Sequence, residues 1–336
     1  MSNEPPNSPV FRSNRVKAIA ADLGFDRCGV TTASPIGRAD FLREWLSRGY
    51  AGTMGYLHRH VESRIDVRSW LPWARSIIVV ALNYRQAPRE KPIDEPRGRV
   101  AMYAWGEDYH DVIREKLDRM AGRIQAEFFI DAPDTADLAI APRVQSCVDT
   151  SAILERELAA VSGVGWIGKN TLVMHESLGS YFFLGELITD LELAPDSPAV
   201  DHCGTCTRCL EACPTQAFVA PYVMDASRCI SYLTIEHRSE IDPTLSTRTG
   251  DWVFGCDVCQ DVCPHNRHAP ESHELRFRPP SQEASVDAAF PRLSDIDSWD
   301  RAAYERAVAG RATGRARLDM WKRNASLIHK QRDPSG

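Results

Sequence analysis

At 336 residues the chain has the length of about two domains. Its hydrophobic content of 43% and charged content of 26% are ordinary for a globular protein, which excludes collagen, coiled coil and bulk disorder. A formal net charge of −6 carries no whole-molecule signature of a nucleic-acid binder, so charge has to be read by segment.

Residues 1–10, rich in Pro, Asn and Ser, read as disordered. No apolar signal core and no twin-arginine signal occur in residues 1–25, and the longest apolar run is Ile77–Leu82, far short of the ~20 residues that cross a bilayer. A soluble, cytoplasmic protein of a reducing compartment is expected. Val16–Leu23 reads as a helix stopped by Gly24, Arg27–Thr32 as a strand, and Arg38–Leu46 as an amphipathic helix. Ser76–Asn83 (SIIVVALN) has the continuous β-branched run of a strand covered on both faces. Gln86–Gly98 is a surface loop and Val100–Trp105 strand-like, and Asp108 can cap a helix running to about Glu127. Ala139–Val148 is extended, Ile153–Val161 helical, and Thr171–Met174 and Tyr181–Asp190 are further strands. The expectation is an α/β domain over 11–195, a cysteine-rich segment over 196–268 and a helical tail over 269–336. Within that tail, residues 301–332 carry nine Lys/Arg against two acids.

Eight of the ten cysteines fall within 61 residues. Cys203-x2-Cys206-x2-Cys209-x3-Cys213-Pro214 is the bacterial ferredoxin run, in which three thiolates hold one cubane and the fourth reaches the neighbouring one. The second run, Cys256-x2-Cys259-x3-Cys263-Pro264, has Val253 where its first cysteine would stand, and Cys229 can supply the missing ligand. Crossing the fourth ligands gives two full sets: Cys203, Cys206, Cys209 and Cys263, then Cys213, Cys229, Cys256 and Cys259. A zinc ribbon needs only paired CxxC knuckles, so this pattern favours two 4Fe–4S clusters over zinc. Cys28 and Cys147 read as packed thiols.

Gly163-Val-Gly165-Trp-Ile-Gly168-Lys169-Asn170 matches phosphate-loop patterns only on paper. It follows a helix instead of a strand, and Asn170 stands where a magnesium-binding hydroxyl is required. Either a tight helix-to-strand connection or backbone laid against a large flat cofactor would account for three glycines in six residues. Asp149 reads from local sequence as a helix N-cap, and His110 as a capping or surface histidine.

The segments Tyr103-Ala-Trp-Gly-Glu-Asp108-Tyr109-His110, Asp149-Thr-Ser-Ala-Ile-Leu-Glu155-Arg-Glu157, GVGWIGKNT (163–171), Gly179-Ser180-Tyr-Phe-Phe183-Leu-Gly185-Glu186, the ferredoxin run, Cys229-Ile-Ser231, Phe254-Gly-Cys-Asp257 and Trp321-Lys-Arg323-Asn324 together resemble the epoxyqueuosine reductase family. The resemblance covers about residues 15–328. It implies a cobalamin-binding α/β domain followed by a two-cluster ferredoxin-like domain, and removal of the epoxide oxygen from a modified wobble base of tRNA. It places Asp149 as the proton donor, with burial beside electron-rich cobalt raising its pKa. It also implies that Arg64, Asp108, Tyr109, His110, Trp166, Lys169, Asn170, Thr171, Ser180, Phe183 and Ser231 line the cobalamin. The expected partners are a tRNA, held partly by Arg315, Arg317, Lys322 and Arg323, and a low-potential electron donor, with the chain a monomer. The rival readings are a reductive dehalogenase-like cobalamin enzyme and an iron–sulfur electron-transfer subunit.

Overall fold

A computed structural model describes residues 7–129, 141–279 and 281–333. Its centre is a four-stranded sheet of β1 (Arg27–Thr32), β2 (Ser76–Asn83), β3 (Val144–Cys147) and β4 (Phe182–Thr189), in the order β1-β2-β4-β3. Strands β1 and β2 fall where the sequence puts them, and β2 is buried at every residue. Alternation sorts its side chains: Ile78, Val80 and Leu82 join the core formed with helices α1 (Pro9–Asp22) and α2 (Tyr109–Glu127). Ile77, Val79 and Ala81 join the opposite core, with Leu158 and Ala159 of α3 (Glu155–Val161).

All pairings in this sheet are antiparallel. The fold is therefore α+β where an α/β domain was one expectation. Burial on both faces dictates the residue pattern of a strand but not the direction of its neighbours. Helix α1 begins at Pro9, inside the stretch expected to be disordered, because Ser8 caps it by accepting from the Phe11 N–H at 3.2 Å. Residues 1–6 and the first two residues of the expected extended stretch Ala139–Val148 lie outside the described residues. Of Val100–Trp105, only Val100 is in a strand; Arg99–Val100 runs parallel to Trp252–Phe254, and a 3₁₀ turn follows over Met102–Ala104. Gly185 lets α2 lie directly on β4, since a Cβ there would meet Ile113 Cγ2 at 2.8 Å.

The cysteine segment and the tail are built into this core. Its apolar cluster runs from Val16, Ile78 and Phe183 through Val253 to Phe290, Trp321 and Ile328. Helix α4 (Ile230–Ile235) and the last helix, α5 (Leu318–Arg332), are tied by Asn324, whose Nδ2 donates to the carbonyls of Thr234 and Val253 at 3.0 and 2.9 Å. No helix among the described residues is long and apolar enough to cross a membrane.

Candidate active site and cluster cradle

Asp108 caps α2 as expected, accepting from the His110 N–H at 3.0 Å. The same oxygen lies 2.7 Å from His110 Nδ1, and His110 Nε2 lies 3.1 Å from Asp149 Oδ2. Asp149 is not a helix cap: α3 begins after Leu154, and Asp149 sits in the left-handed region at φ 49°. A non-glycine residue held there costs energy that its surroundings must offset. The Asp149 N–H is held by Glu155 Oε1 at 2.5 Å, while its side chain keeps 56% of its surface open to solvent.

Charge in this trio departs from expectation. Dense protein around Asp149 works to raise its pKa, but hydrogen bonds from His110 and Tyr109, with the charges of His110 and Arg315, bring it below the ordinary value. Half-burial alone would lower the His110 pKa; its bonds to Asp108 and Asp149 outweigh that and raise it to about 9. The proton of the pair therefore rests on His110, not on Asp149. The expected raised pKa of Asp149 is corrected on this point, because the sequence does not show that His110 reaches it.

Tyr109 stacks on Phe183, with ring centroids 4.3 Å apart and an interplanar angle of 6°, and on His110 at 4.1 Å. Tyr103 meets Tyr109 edge-on at 6.1 Å. Arg64 lies within electrostatic reach of Tyr56 and Glu155. Thr171 (φ 64°) gives its carbonyl to Arg156 at 2.7 Å. Arg64, Asp108, Tyr109, His110, Thr171 and Phe183 thus gather on the Asp149 side.

The rest of the expected cobalamin set is held by the cysteine segment. Lys169 Nζ donates to the carbonyls of Gly204 and Cys206 at 2.6 and 3.0 Å. Trp166 packs edge-on between His202 and His265 at 5.0 and 5.1 Å. Ser180 is locked by Asn266 and Gln260, its N–H donating to Asn266 Oδ1 at 2.7 Å. The Ser231 N–H is bonded to the Cys229 sulfur. The glycine loop is the tight connection of the two alternatives: Cβ atoms at Gly163 and Gly165 would meet the carbonyl oxygens of Ser197 and Met174 at 2.6 and 2.3 Å.

Cys203, Cys206, Cys209 and Cys263 together line one cavity of about 90 Å³, which Lys169 and Asn170 close. Among the described residues no three His, Cys, Asp or Glu side chains converge on a single ion; these four thiols surround a volume instead. Cys229 and Cys256 lie within electrostatic reach of each other and of Cys213, and Cys259 of Cys256 and Cys229. Both crossed sets are thus brought together. The second is the inner one, for Cys256 packs in an apolar cluster with Ala101, Trp252 and Tyr103, the ring that meets Tyr109.

Beneath Asp149 lies a carboxyl pair that sequence reasoning missed. Glu186 on β4 is 0% exposed, and its oxygens find no N–H or O–H donor among the described residues apart from the facing Glu155 carboxyl. Burial, then mutual repulsion, raises Glu186 well above its ordinary pKa; burial, then the charge of Asp149, raises Glu155 to about 7. The signal was a single acid inside the otherwise apolar strand Phe182–Thr189.

Three of the four residues expected to contact RNA already have partners within the protein. Arg315 pairs bidentately with Glu236 at 2.8 and 3.1 Å, and Arg323 donates to the carbonyls of Leu233, His237 and Ser239 at 2.6–2.7 Å. Arg317 pairs with Asp319 at 3.0 Å. Beside Asp149, a hollow of about 630 Å³ is instead rimmed by Tyr56, Arg59, Arg238 and Arg315. Exposed Arg59 and Arg238 have no carboxylate partner among the described residues.

A protein that sets paired cysteine cradles behind a proton-bearing histidine–carboxylate site is an iron–sulfur oxidoreductase. Residues 202–266 match the family model of the 4Fe-4S double cluster binding domain, and residues 64–150 that of epoxyqueuosine reductase QueG, DUF1730. The epoxyqueuosine reductase of Xanthomonas campestris pv. campestris is 37% identical over 324 residues, 95% of this chain and 86% of that protein. That of Cellulophaga algicola is 42% identical over 274 residues, 81% of this chain and 85% of the relative. A crystal structure of epoxyqueuosine reductase with a tRNA-Tyr epoxyqueuosine-modified stem loop superimposes with a TM-score of 0.81 at 32% identity, covering 95% of this chain and 80% of that one. The chain belongs to the epoxyqueuosine reductase family.

Proposed function

We propose that the chain removes the epoxide oxygen of epoxyqueuosine at the wobble position of a tRNA anticodon, leaving queuosine. The observation that carries this reading is the Asp108–His110–Asp149 relay, open to solvent on one side and backed by the inner cysteine set on the other. Loss of an epoxide oxygen as water consumes two electrons and two protons, so an acid and an electron source must meet at one place. In this reading the α+β part (11–195) holds cobalamin, and the segment 196–268 holds the clusters on the crossed cysteine sets. The tail 269–336 closes the Asp149 mouth with Arg315.

Buried donors suit a cobalamin: Arg64 Nε and Asn170 Nδ2 have no partner among the described residues, and the amide carbonyls around a corrin ring are acceptors that would satisfy them. A cobalamin held by these residues would supply low-potential electrons at the site. His110 Nε2 passes its proton to Asp149, which delivers it to the departing oxygen. Solvent at the open side of the relay restores His110 for the second proton, so the pair works as store and donor. Asp108 keeps the imidazole facing Asp149 throughout. Arg59 and Arg238 stand where phosphates of an anticodon loop would pass.

The test is incubation of the cluster-loaded protein with cobalamin, a strong reductant and epoxyqueuosine-containing tRNA, then mass spectrometry of the digested nucleosides. Loss of one oxygen from the modified base is expected. An unaltered nucleoside, with clusters and cobalamin verified as bound, overturns the reading.

A further inference from the structure

A hollow larger than the one beside Asp149 lies elsewhere on the molecule. It measures about 890 Å³ and reaches Cys263 and Pro264 at its floor. A second hollow of about 490 Å³, lined by Cys206, shares Arg208, Pro264 and Arg267 with it. Together they lie over the outer cysteine set, whose Cys203 and Cys206 are only half-buried.

The rim is basic. Arg85, Arg89, Arg208 and Arg267 line these hollows, and none has a carboxylate partner among the described residues. The acids in the same lining are all hydrogen-bonded within the protein: Glu211 accepts from Thr207 Oγ1, Asp261 from the Tyr181 hydroxyl at 2.8 Å, and buried Asp257 from the Met102 N–H at 2.7 Å. Unpaired guanidiniums around a concave surface attract an anionic surface and are only weakly hydrated, so they suit a transient contact. Buried Gln86 contributes an acceptor, Oε1, that also lacks a partner.

We propose that this arginine-rimmed face over Cys203, Cys206, Cys209 and Cys263 is where an acidic one-electron carrier protein docks. The inference rests on the two-cluster reading above. Each encounter moves one electron: the carrier is oxidised by one and the outer cluster reduced by one, so two encounters serve each epoxide. The Asp149 mouth cannot serve for docking, because the RNA fills it during turnover. The inner set is walled by Ala101, Trp252 and Tyr103; of these only Trp252 reaches the larger hollow, and no inner-set cysteine lines it.

The experiment uses the full, cluster-loaded chain and an acidic 2Fe–2S ferredoxin as probe, with anaerobic stopped-flow detection of cluster reduction. In Arg208→Glu/Arg267→Glu the rate constant with reduced ferredoxin should fall at least about tenfold at low salt, and the wild-type rate should fall as salt is added. Reduction by a neutral deazaflavin photoreductant, and affinity for the stem-loop RNA, should not change. Arg85→Glu lies outside the cysteine segment and should act in the same direction, which keeps the test decisive if the double variant binds its clusters poorly. Unchanged ferredoxin rates in both variants overturn the proposal. So does a loss of RNA affinity with ferredoxin rates intact, which would make the face an RNA contact. Epoxide turnover driven by the photoreductant alone reads out the proposed function separately. If that turnover is absent while the ferredoxin result holds, the functional reading falls and the docking face stands.

Discussion

Asp108 holds His110 twice, accepting its backbone N–H at 3.0 Å and facing its Nδ1 at 2.7 Å with the same oxygen. One carboxylate thus ends the helix and orients the ring, leaving only Nε2 to meet Asp149. Cap and relay are a single device, and α2 cannot start one residue later without losing both.

Replacing Asp149 with Asn should lower turnover by roughly 10²–10⁴-fold, because the amide cannot pass a proton to an alkoxide. The helix should survive, since Asp149 does not cap it. The His110 pKa should move down from about 9 as one of its two carboxylate partners disappears. Nucleoside mass spectrometry and histidine NMR titration check both halves. Turnover above about a tenth of wild type would move the donor role elsewhere, given the size of the expected effect.

The pH dependence has a definite sign. The folded pKa of His110 is about 9 against an ordinary 6.5, so the stability this contact adds is full below about 6.5 and is lost as pH rises through about 9. Turnover should follow the same proton: level near neutrality and falling with a single deprotonation near pH 9. A kcat/KM profile with no alkaline limb between pH 8 and 10 would contradict it.

Glu186→Gln should stabilise the protein at alkaline pH only. Folded Glu155 and Glu186 are shifted up, so the native state holds more protons than the unfolded chain. Stability is therefore full below about 4.5 and falls as pH rises through about 7. A Gln amide can donate to Glu155 where a second carboxylate repels it. The Tm should rise by roughly 3 °C or more at pH 8, taking about 2–4 °C per kcal/mol, and barely change at pH 4.5.

Cys263→Ala should strip the outer cluster despite lying 54 residues from Cys209 in sequence. Anaerobic iron and sulfide should drop from about eight to about four per chain. Loss confined to the inner set, read by electron paramagnetic resonance, would reverse the crossing.

Arg59→Ala/Arg238→Ala should weaken stem-loop binding and flatten its salt dependence by about two phosphate contacts. Arg323→Ala should instead cost stability, on the order of 3 kcal/mol, because it leaves backbone carbonyls without their charged donor. Binding and melting measured on both variants separate the two roles.

Local rules carried the sequence reading a long way. Asp108 and β2 depend on neighbours within one helix turn or one strand, and the crossed cysteines could be paired because each run follows a fixed spacing motif. What escaped was set by distance in the chain. His110 and Asp149 are 39 residues apart, and Glu155 and Glu186 face each other only because β4 runs beside α3. Arg315 and Arg323 look free in a basic segment, yet Glu236 and the carbonyls after Leu233 lie almost 80 residues or more away. Net charge along a segment does not say which charges are already engaged.

The grip of Asn324 and Arg323 on α4 bears on how the molecule comes apart. Proteolysis near residue 268 would strip donors from the carbonyls of Leu233, Thr234, His237, Ser239 and Val253 at once, two of them in dry interior. No self-sufficient iron–sulfur fragment should survive such a cut. The tail and the cysteine segment should melt in one transition, so that heat or denaturant releases iron at the same point at which the last helix unwinds.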